Sequence, residues 1–327
     1  MYIFGHKNPD SDSVCSAIAL SYLKNKLGYD YSPRVLGKIN KETKFILEHF
    51  NINPPELLEN VKTQVKDLKY DKVASKLPNC SILSCYRYME EKRLRTLPIT
   101  DKNNKLLGIV TMKDIAMSLI KGDLYRLKTN TDNIIQDLGG KLLVGDNKEI
   151  DGNIKVISIY HKTLRAQNSL NSDSVVILGD VYESINQAIN AHVQLIIISS
   201  NKVIPQRLIN LAKLNNVTII SVPHDTYTIS KLLNQCNYIS TITHEDQINM
   251  FYEDEFLDYV REELSTNRHS YYPIVTRKKE YLGILNRLHI LKPQKKKVIL
   301  VDHNEFSQSV EGVNEAKIVE IVDHHKI

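Results

Sequence analysis

The apolar and polar positions of this 327-residue chain fall into patches whose period changes along its length. The opening YIF, Tyr2 to Phe4, reads as a strand and runs into the polar stretch GHKNPDSDS. Beyond it Val14, Ala17, Ile18 and Ser21 or Tyr22 recur at helical spacing, with Asp12 or Ser13 placed to cap that helix. Near the other end, KKVILVDHNE and AKIVEIVDHH are short β-branched runs that end in polar residues, with room between them for a short helix. Such runs are the pattern of parallel strands buried on both faces. Ligands in α/β folds bind at the carboxyl ends of such strands, and all three clusters of acid and histidine fall there.

Between the terminal pieces lies an internal repeat. RLRTLPITDKNNKLLGIVTMKDI and RHSYYPIVTRKKEYLGILNRLHI align without gaps, Pro98 to Gly108 matching Pro273 to Gly283, with Arg93 or Arg268 upstream. Each copy predicts strand, turn, strand, helix. The stretch from about 129 to 237 alternates apolar runs (VVILGD, VQLIIISS, VTIISV) with helical segments (YESINQAINA, PQRLINLAKL, TYTISKLLNQ), which predicts a small α/β domain of its own. The fold class is therefore α/β: a parallel-sheet domain interrupted by two repeat copies that flank a further α/β domain. The expected boundaries are 1–54 and 293–327 for the two parts of the outer domain, 55–128 and 238–292 for the copies, and 129–237 between them.

Composition narrows the function. A chain 42% hydrophobic and 25% charged is globular, and its longest apolar runs fall far short of a bilayer span, so no membrane partner and a cytoplasmic location are expected. Cys15, Cys80, Cys85 and Cys236 form no CxxC pair and read as reduced thiols packed as small apolar groups. A net charge of +5 is too mild to argue for nucleic acid.

The chain ends carry the chemistry. HxNPDxD presents one imidazole and two carboxylates from a single turn, a nitrogen and oxygen set that suits divalent cations of the manganese, cobalt or magnesium type. The same residues also make a turn and a helix cap, so two readings of the motif stand. Asp302 after ILV and the Asp323, His324, His325 triplet after VEIV add further clusters at comparable strand ends. A cage of that size suits two metal ions, which turn bound water into hydroxide and offset charge on phosphoryl oxygens. The reaction class expected is hydrolysis of a phosphoester or phosphoanhydride.

GHKNPDSDS, VDHNE and VDHH, in this order, resemble the DHH phosphoesterase superfamily and, within it, the family II inorganic pyrophosphatases. The repeat resembles a pair of CBS domains and the domain between resembles the DRTGG domain, a combination similar to the nucleotide-regulated CBS-containing pyrophosphatases. Ser199, Ser200 and Asn201 stand after LIII where the last domain has its glycines. The resemblance implies Mn2+ or Co2+ at a two-metal site with Mg2+ alongside. It implies His6, Asp10, Asp12, Asp302 and His324 as metal ligands, Asp302 as the bridge, His325 as the catalytic group meeting phosphate, and Asp323 orienting its neighbours from behind. Pyrophosphate is the implied substrate. Because the family's site continues past the DHH histidines and gains a basic C-terminal lobe, the chain is expected to be a fragment with little activity alone.

CBS pairs resemble sensors that hold adenine nucleotides, through a threonine and an aspartate in GhxTxxD. The first copy offers Thr111 and Asp114 in GIVTMKD, and the second offers Asn286 and His289 in GILNRLH. Arg93, Arg95 and Arg268 would supply phosphate charge, and the ring of Tyr271 or Tyr272 would stack on adenine. Thr111 and Asp114 equally suit a helix cap, and either tyrosine equally suits strand packing. AMP, ADP, ATP or diadenosine polyphosphates are the implied regulators, and a homodimer is expected. Two alternatives remain: another DHH phosphoesterase, acting on small nucleotides or as an exonuclease, and a non-catalytic adenine-nucleotide sensor.

Overall fold

The computed structural model describes residues 1–157, 169–244, 248–267, 270–291 and 293–325. The chain divides into two compact units, Met1–Val73 with Asn249–Ile327, and Ala74–Ile248. Among the described residues no helix is long and apolar enough to cross a membrane.

The first unit is built on a five-stranded parallel sheet in the order Lys317–Val322, Lys297–Val301, Tyr2–Phe4, Ser32–Val35, Glu56–Leu57. Strand alternation sorts its core into two layers. Ile3, Ile299 and Val301 pack with Ala17 of the helix Ser11–Lys26. Phe4, Val298 and Leu300 face the other way, onto Val61, Val310 and Val313. Two expectations are corrected here. The run KIVEIV is not buried on both faces: as the edge strand it pairs only with Lys297–Val301, and Val319, Ile321 and Val322 remain exposed. The segment between the last two strands, with room for a short helix, holds the 3-10 helix Phe306–Gln308. The first helix is capped by Asp10, whose side chain accepts from the Ser13 backbone N–H at 2.9 Å, and not by Asp12 or Ser13.

The same unit holds the second repeat copy. Its strands Tyr271–Val275 and Tyr281–Asn286 pair antiparallel, joined by Phe251–Tyr252, over a core in which Leu257, Val260 and Leu264 of the helix Leu257–Thr266 meet Val65 and Leu68. No helix follows Tyr281–Asn286 among the described residues; residues 287–291 form turns that run toward Pro293. Proline ahead and the lysine run behind it leave too little chain for a helix of that kind.

The second unit holds the first copy and the central domain. Thr96–Thr100 pairs antiparallel with Leu106–Thr111, and the helices Ile82–Glu91 and Met112–Lys121 cover a core that includes Ile239. The central sheet has six strands in the order Arg126–Asn130, Glu149–Val156, Ser174–Leu178, Leu195–Ile198, Thr218–Ser221, Lys141–Val144. Its four middle strands are parallel and both edges antiparallel. Tyr182–Asn190 and Gln206–Leu214 cover one face, Thr131–Leu138 and Thr226–Leu232 the other. Ser199–Asn201 forms a tight 3-10 turn in which Ser200 (φ 56°) and Asn201 (φ 49°) are left-handed. That is the conformation glycine adopts without cost. Here the turn is held instead by hydrogen bonds from Ser200 N–H to the His224 carbonyl (2.7 Å) and from Asn201 N–H to the Val222 carbonyl (2.8 Å).

The two copies share one construction detail. Asp71 exchanges backbone hydrogen bonds with Ile284 (3.1 and 2.9 Å), and His244 does so with Ile109 (3.2 and 3.4 Å). The free edge of the second strand of each repeat is thus paired by a residue that precedes the other copy in sequence. Gly108 and Gly283 are required by this approach: a Cβ at Gly108 would lie 2.6 Å from the His244 carbonyl oxygen, and one at Gly283 would lie 2.7 Å from that of Asp71.

Candidate metal centre

Three strand ends and one helix start meet in the first unit. The strand Tyr2–Phe4 delivers His6, and the turn after it delivers Asp10 and Asp12 at the start of the first helix. The parallel neighbour Lys297–Val301 delivers Asp302, and the edge strand Lys317–Val322 delivers Asp323, His324 and His325. Parallel pairing in register with Tyr2–Phe4 is what brings residues from opposite ends of the chain to one edge.

Asp302 is the centre. It is 5% exposed, and its two carboxylate oxygens face different histidines: Oδ2 lies 3.3 Å from His6 Nε2, and Oδ1 lies 3.2 Å from His324 Nε2 and 3.7 Å from His325 Nδ1. Its φ of 56° is left-handed, and its N–H donates to the Val322 carbonyl at 2.9 Å, which holds that backbone against the end of the neighbouring strand. His6 Nε2 is also 3.6 Å from Asp10 Oδ2, and His324 Nε2 is 3.3 Å from Asp12 Oδ2. Two donor groups result, His6, Asp10 and Asp302 on one side, and Asp302, His324 and His325 on the other. Asp10 shows why the cap and ligand readings of HxNPDxD are compatible: one oxygen caps the helix while the other faces His6.

The electrostatics call for a cation. Burial, and then the nearby carboxylates Asp12 and Asp10, push the Asp302 carboxyl above its ordinary range. Repulsion of that kind is relieved by a positive ion held between the oxygens. A mixed nitrogen and oxygen set without thiolates fits Mn2+ or Co2+. His325 is held differently. Its Nδ1 lies 2.8 Å from Asp323 Oδ1, and Asn304 Nδ2 donates to Asp323 Oδ2 at 2.7 Å. The hydrogen bond to Asp323 raises the imidazole above its usual range. Burial disfavours charge on Asp323, but the hydrogen bonds from His325 carry its carboxyl below the usual range.

His303 is a residue that sequence reasoning passed over, although VDHNE contains it. Its ring is 1% exposed, Nδ1–H donates to the Val301 carbonyl at 2.9 Å, and Nε2 has no hydrogen-bond partner. Burial holds this imidazole below the ordinary histidine range, in the neutral form. With His6, Lys7, Asn8, Asn304 and His325 it lines a cavity of about 320 Å³ beside the carboxylates.

The residues expected to hold nucleotide are distributed between the units. Thr111 and Asp114 form a reciprocal cap: Asp114 N–H donates to Thr111 Oγ1 (3.2 Å), and Thr111 N–H and Oγ1 each donate to Asp114 Oδ2 (2.7 Å). His244 Nε2 lies 3.0 Å from the remaining oxygen, Asp114 Oδ1. Burial opposes ionisation of Asp114, yet its hydrogen bonds with Thr111 and His244 bring the carboxyl below its normal range. The Arg95 carbonyl accepts from Met112 N–H at 3.2 Å, so Arg95 adjoins this cap with an exposed side chain. Arg93, also exposed, has φ 54°. It follows the C-cap of the helix Ile82–Glu91, where Leu94 N–H reaches the Met89 carbonyl (2.8 Å) in a Schellman turn.

The second copy exchanges the residue types. His289 Nδ1 accepts from Asn286 N–H at 3.1 Å, as Asp114 does from Thr111, and His289 Nε2 lies 3.6 Å from Asp71 Oδ1. Asp71 and His244 hold equivalent places in the two copies, so histidine and carboxylate have exchanged sides. Sequence reasoning missed both partners, because each arrives from outside the repeat. Arg268 lies outside the described residues. Tyr272 is corrected: its ring is 1% exposed and packs 5.2 Å from Phe251 in the core, since strand alternation turns it and Ile274 inward, so it does not stack on a ligand.

Comparison with known proteins places these features. Residues 133–236 match the DRTGG domain family and residues 65–121 match the CBS domain family. The chain is 34% identical over 334 residues to a cobalt-dependent inorganic pyrophosphatase of Clostridium perfringens. It is 29% identical over 340 residues to a probable manganese-dependent inorganic pyrophosphatase of Thermotoga maritima. Both alignments cover 100% of this chain, which spans 60% of the length of each relative. A crystal structure of the CBS and DRTGG domains of the regulatory region of Clostridium perfringens pyrophosphatase, complexed with its activator diadenosine tetraphosphate, matches 69% of this chain and 100% of that one. The TM-score is 0.64 and the identity 26%. The chain thus has an α/β fold with CBS and DRTGG domains, and it is homologous to the regulatory region of the CBS-containing family II pyrophosphatase of Clostridium perfringens.

Proposed function

We propose that this chain carries the metal-binding and nucleotide-sensing parts of an inorganic pyrophosphatase that depends on Mn2+ or Co2+. The observation that carries the reading is Asp302, whose two oxygens each face a histidine from a different end of the chain. His6, Asp10 and Asp302 would hold one ion, and Asp12, His324 and Asp302 the other. Bound there, the ions would supply a hydroxide nucleophile and neutralise phosphoryl charge. Mg2+ would accompany the pyrophosphate.

The chain's own groups divide the remaining work. Asp302, fixed by its left-handed backbone and by the Val322 carbonyl, keeps the two donor groups at a set separation. His325, its protonated form favoured by Asp323, which Asn304 holds in place, would donate a hydrogen bond to phosphate and neutralise part of its charge. The cavity of about 320 Å³ beside it is large enough for a small inorganic anion. The CBS pair would take adenine nucleotides or diadenosine polyphosphates, with Thr111, Asp114 and Arg95 serving the first copy and Asn286 and His289 the second. Their binding would be coupled to metal binding, each ligand changing the affinity for the other. A cytoplasmic homodimer completes the proposal.

The test is direct. Calorimetric titration of the chain should give two Mn2+ or Co2+ per chain and one class of site for diadenosine tetraphosphate. Phosphate release from pyrophosphate should be measured in parallel. Metal binding unaffected by His6→Ala and His324→Ala would overturn the assignment of the centre. Nucleotide binding with no metal bound would leave the sensor reading alone.

A further inference from the structure

We propose that Cys80 and Cys85 form a reversible disulfide, making the start of the helix Ile82–Glu91 a redox modification site. Ser81 caps that helix, its Oγ accepting from Ser84 N–H at 3.0 Å. Cys80 is therefore the residue before the cap and Cys85 the fourth helical residue, the two positions whose side chains meet in a hydrophobic staple. In this chain both staple residues are thiols. Cys85 is fully buried among Met89, Leu97 and Ile99, and Cys80 is partly exposed and packs against the same cluster, so the two thiols meet at one apolar patch. The backbone around Cys80 is fixed on both sides. Its carbonyl accepts from Ile239 N–H at 2.8 Å, its N–H donates to the Leu77 carbonyl at 3.1 Å, and Ile82 N–H donates to the Asn237 carbonyl at 2.9 Å.

The burial difference orders the chemistry. An external oxidant meets Cys80 first, because Cys85 is closed off. The Cys85 neighbour lowers the Cys80 thiol, helped by the Leu77 backbone and the Lys76 ammonium and opposed by burial, while the same neighbour and burial push Cys85 up. The Cys80 thiolate attacks one sulfur of a low-molecular-weight disulfide, forming a mixed disulfide and expelling one thiolate. That thiolate takes the Cys85 proton as the Cys85 sulfur attacks Cys80 Sγ, which expels the second thiolate to be protonated by water. Two cysteine thiols are oxidised, and one small disulfide is reduced to two thiols. The other cysteines are placed elsewhere: Cys236 is buried beside Asp137, and Cys15 lies on the first helix, in the other compact unit.

Cleavage after Lys76 and Arg87 yields one peptide that contains both residues, so the test needs no cross-linked fragment. The full chain is equilibrated near neutral pH with oxidised and reduced glutathione, trapped with iodoacetamide and digested. The expected result is that this peptide loses two hydrogens in mass, takes up no label, and regains two labels after dithiothreitol. Cys80→Ser and Cys85→Ala should each abolish the change, and Cys15→Ser and Cys236→Ser should leave it intact. A lasting glutathione adduct on Cys80 with Cys85 still open to label, or both residues labelled throughout in the wild-type chain, overturns the proposal.

Discussion

Replacing Asp302 by Asn isolates the feature on which the metal centre depends. Asparagine has nearly the same shape and tolerates the left-handed backbone found there, so the N–H bond to the Val322 carbonyl is retained. What changes is charge and donor number. The carboxylate offers one oxygen toward His6 at 3.3 Å and the other toward His324 at 3.2 Å, whereas the amide offers a single oxygen. Loss of a partner that merely orients a ligand weakens metal binding about 10- to 100-fold. Removing a shared donor should therefore cost the weaker of two Mn2+ sites more than about 100-fold, or roughly 2.7 kcal/mol. The metal-free protein should respond in the opposite sense. Burial and two nearby carboxylates make the Asp302 charge unfavourable, so the neutral amide leaves metal-free thermal stability unchanged or raised. The assay pairs calorimetric Mn2+ titration with thermal melts in EDTA. A variant that binds two Mn2+ within tenfold of wild type, or one that melts lower in EDTA with metal affinity intact, would refute the reasoning.

Further outcomes follow from other parts of the molecule. Mn2+ at about 100 times its dissociation constant should stabilise the chain by about 2.7 kcal/mol for each site filled, and EDTA should remove that gain in a thermal melt. Gly283→Ala should destabilise by about 1–3 kcal/mol, since its Cβ would press on the Asp71 carbonyl oxygen; chemical denaturation that matches wild type would contradict the strand approach. Tyr272→Ala should cost about 3–5 kcal/mol of stability because the ring is core, while Tyr272→Phe should keep adenine-nucleotide affinity. Asp114→Ala removes one half of the cap and should cost about 1 kcal/mol in denaturation together with a measurable drop in nucleotide affinity.

How much the sequence discloses depends on the range of the interaction. The residues proposed to hold metal are legible because they follow apolar runs or the turn after one, and strand pairing carries run ends to one edge. The repeat is legible for the same reason, through its matched proline and glycine. The cap at Asp10 is harder to read: NPDSDS offers four capping side chains in succession, and only the backbone decides which one faces Ser13. The exposure of Lys317–Val322 is invisible in its β-branched composition, since edge or centre is a property of neighbours. Asp71 and His244 are the clearest misses. Each pairs through a single bridge to a strand far along the chain, and one residue has no periodicity to betray it. The absent helix after Tyr281–Asn286 shows the opposite case, in which a gapless repeat promises an element that Pro293 and the lysines behind it cut short.

Electron paramagnetic resonance of the Mn2+-loaded chain reaches the central claim with least intervening inference, because it reports whether two ions share a ligand. An exchange-coupled spectrum that collapses to that of isolated Mn2+ in Asp302→Asn is the predicted result. Isolated-ion spectra at every loading of the wild-type chain would contradict it.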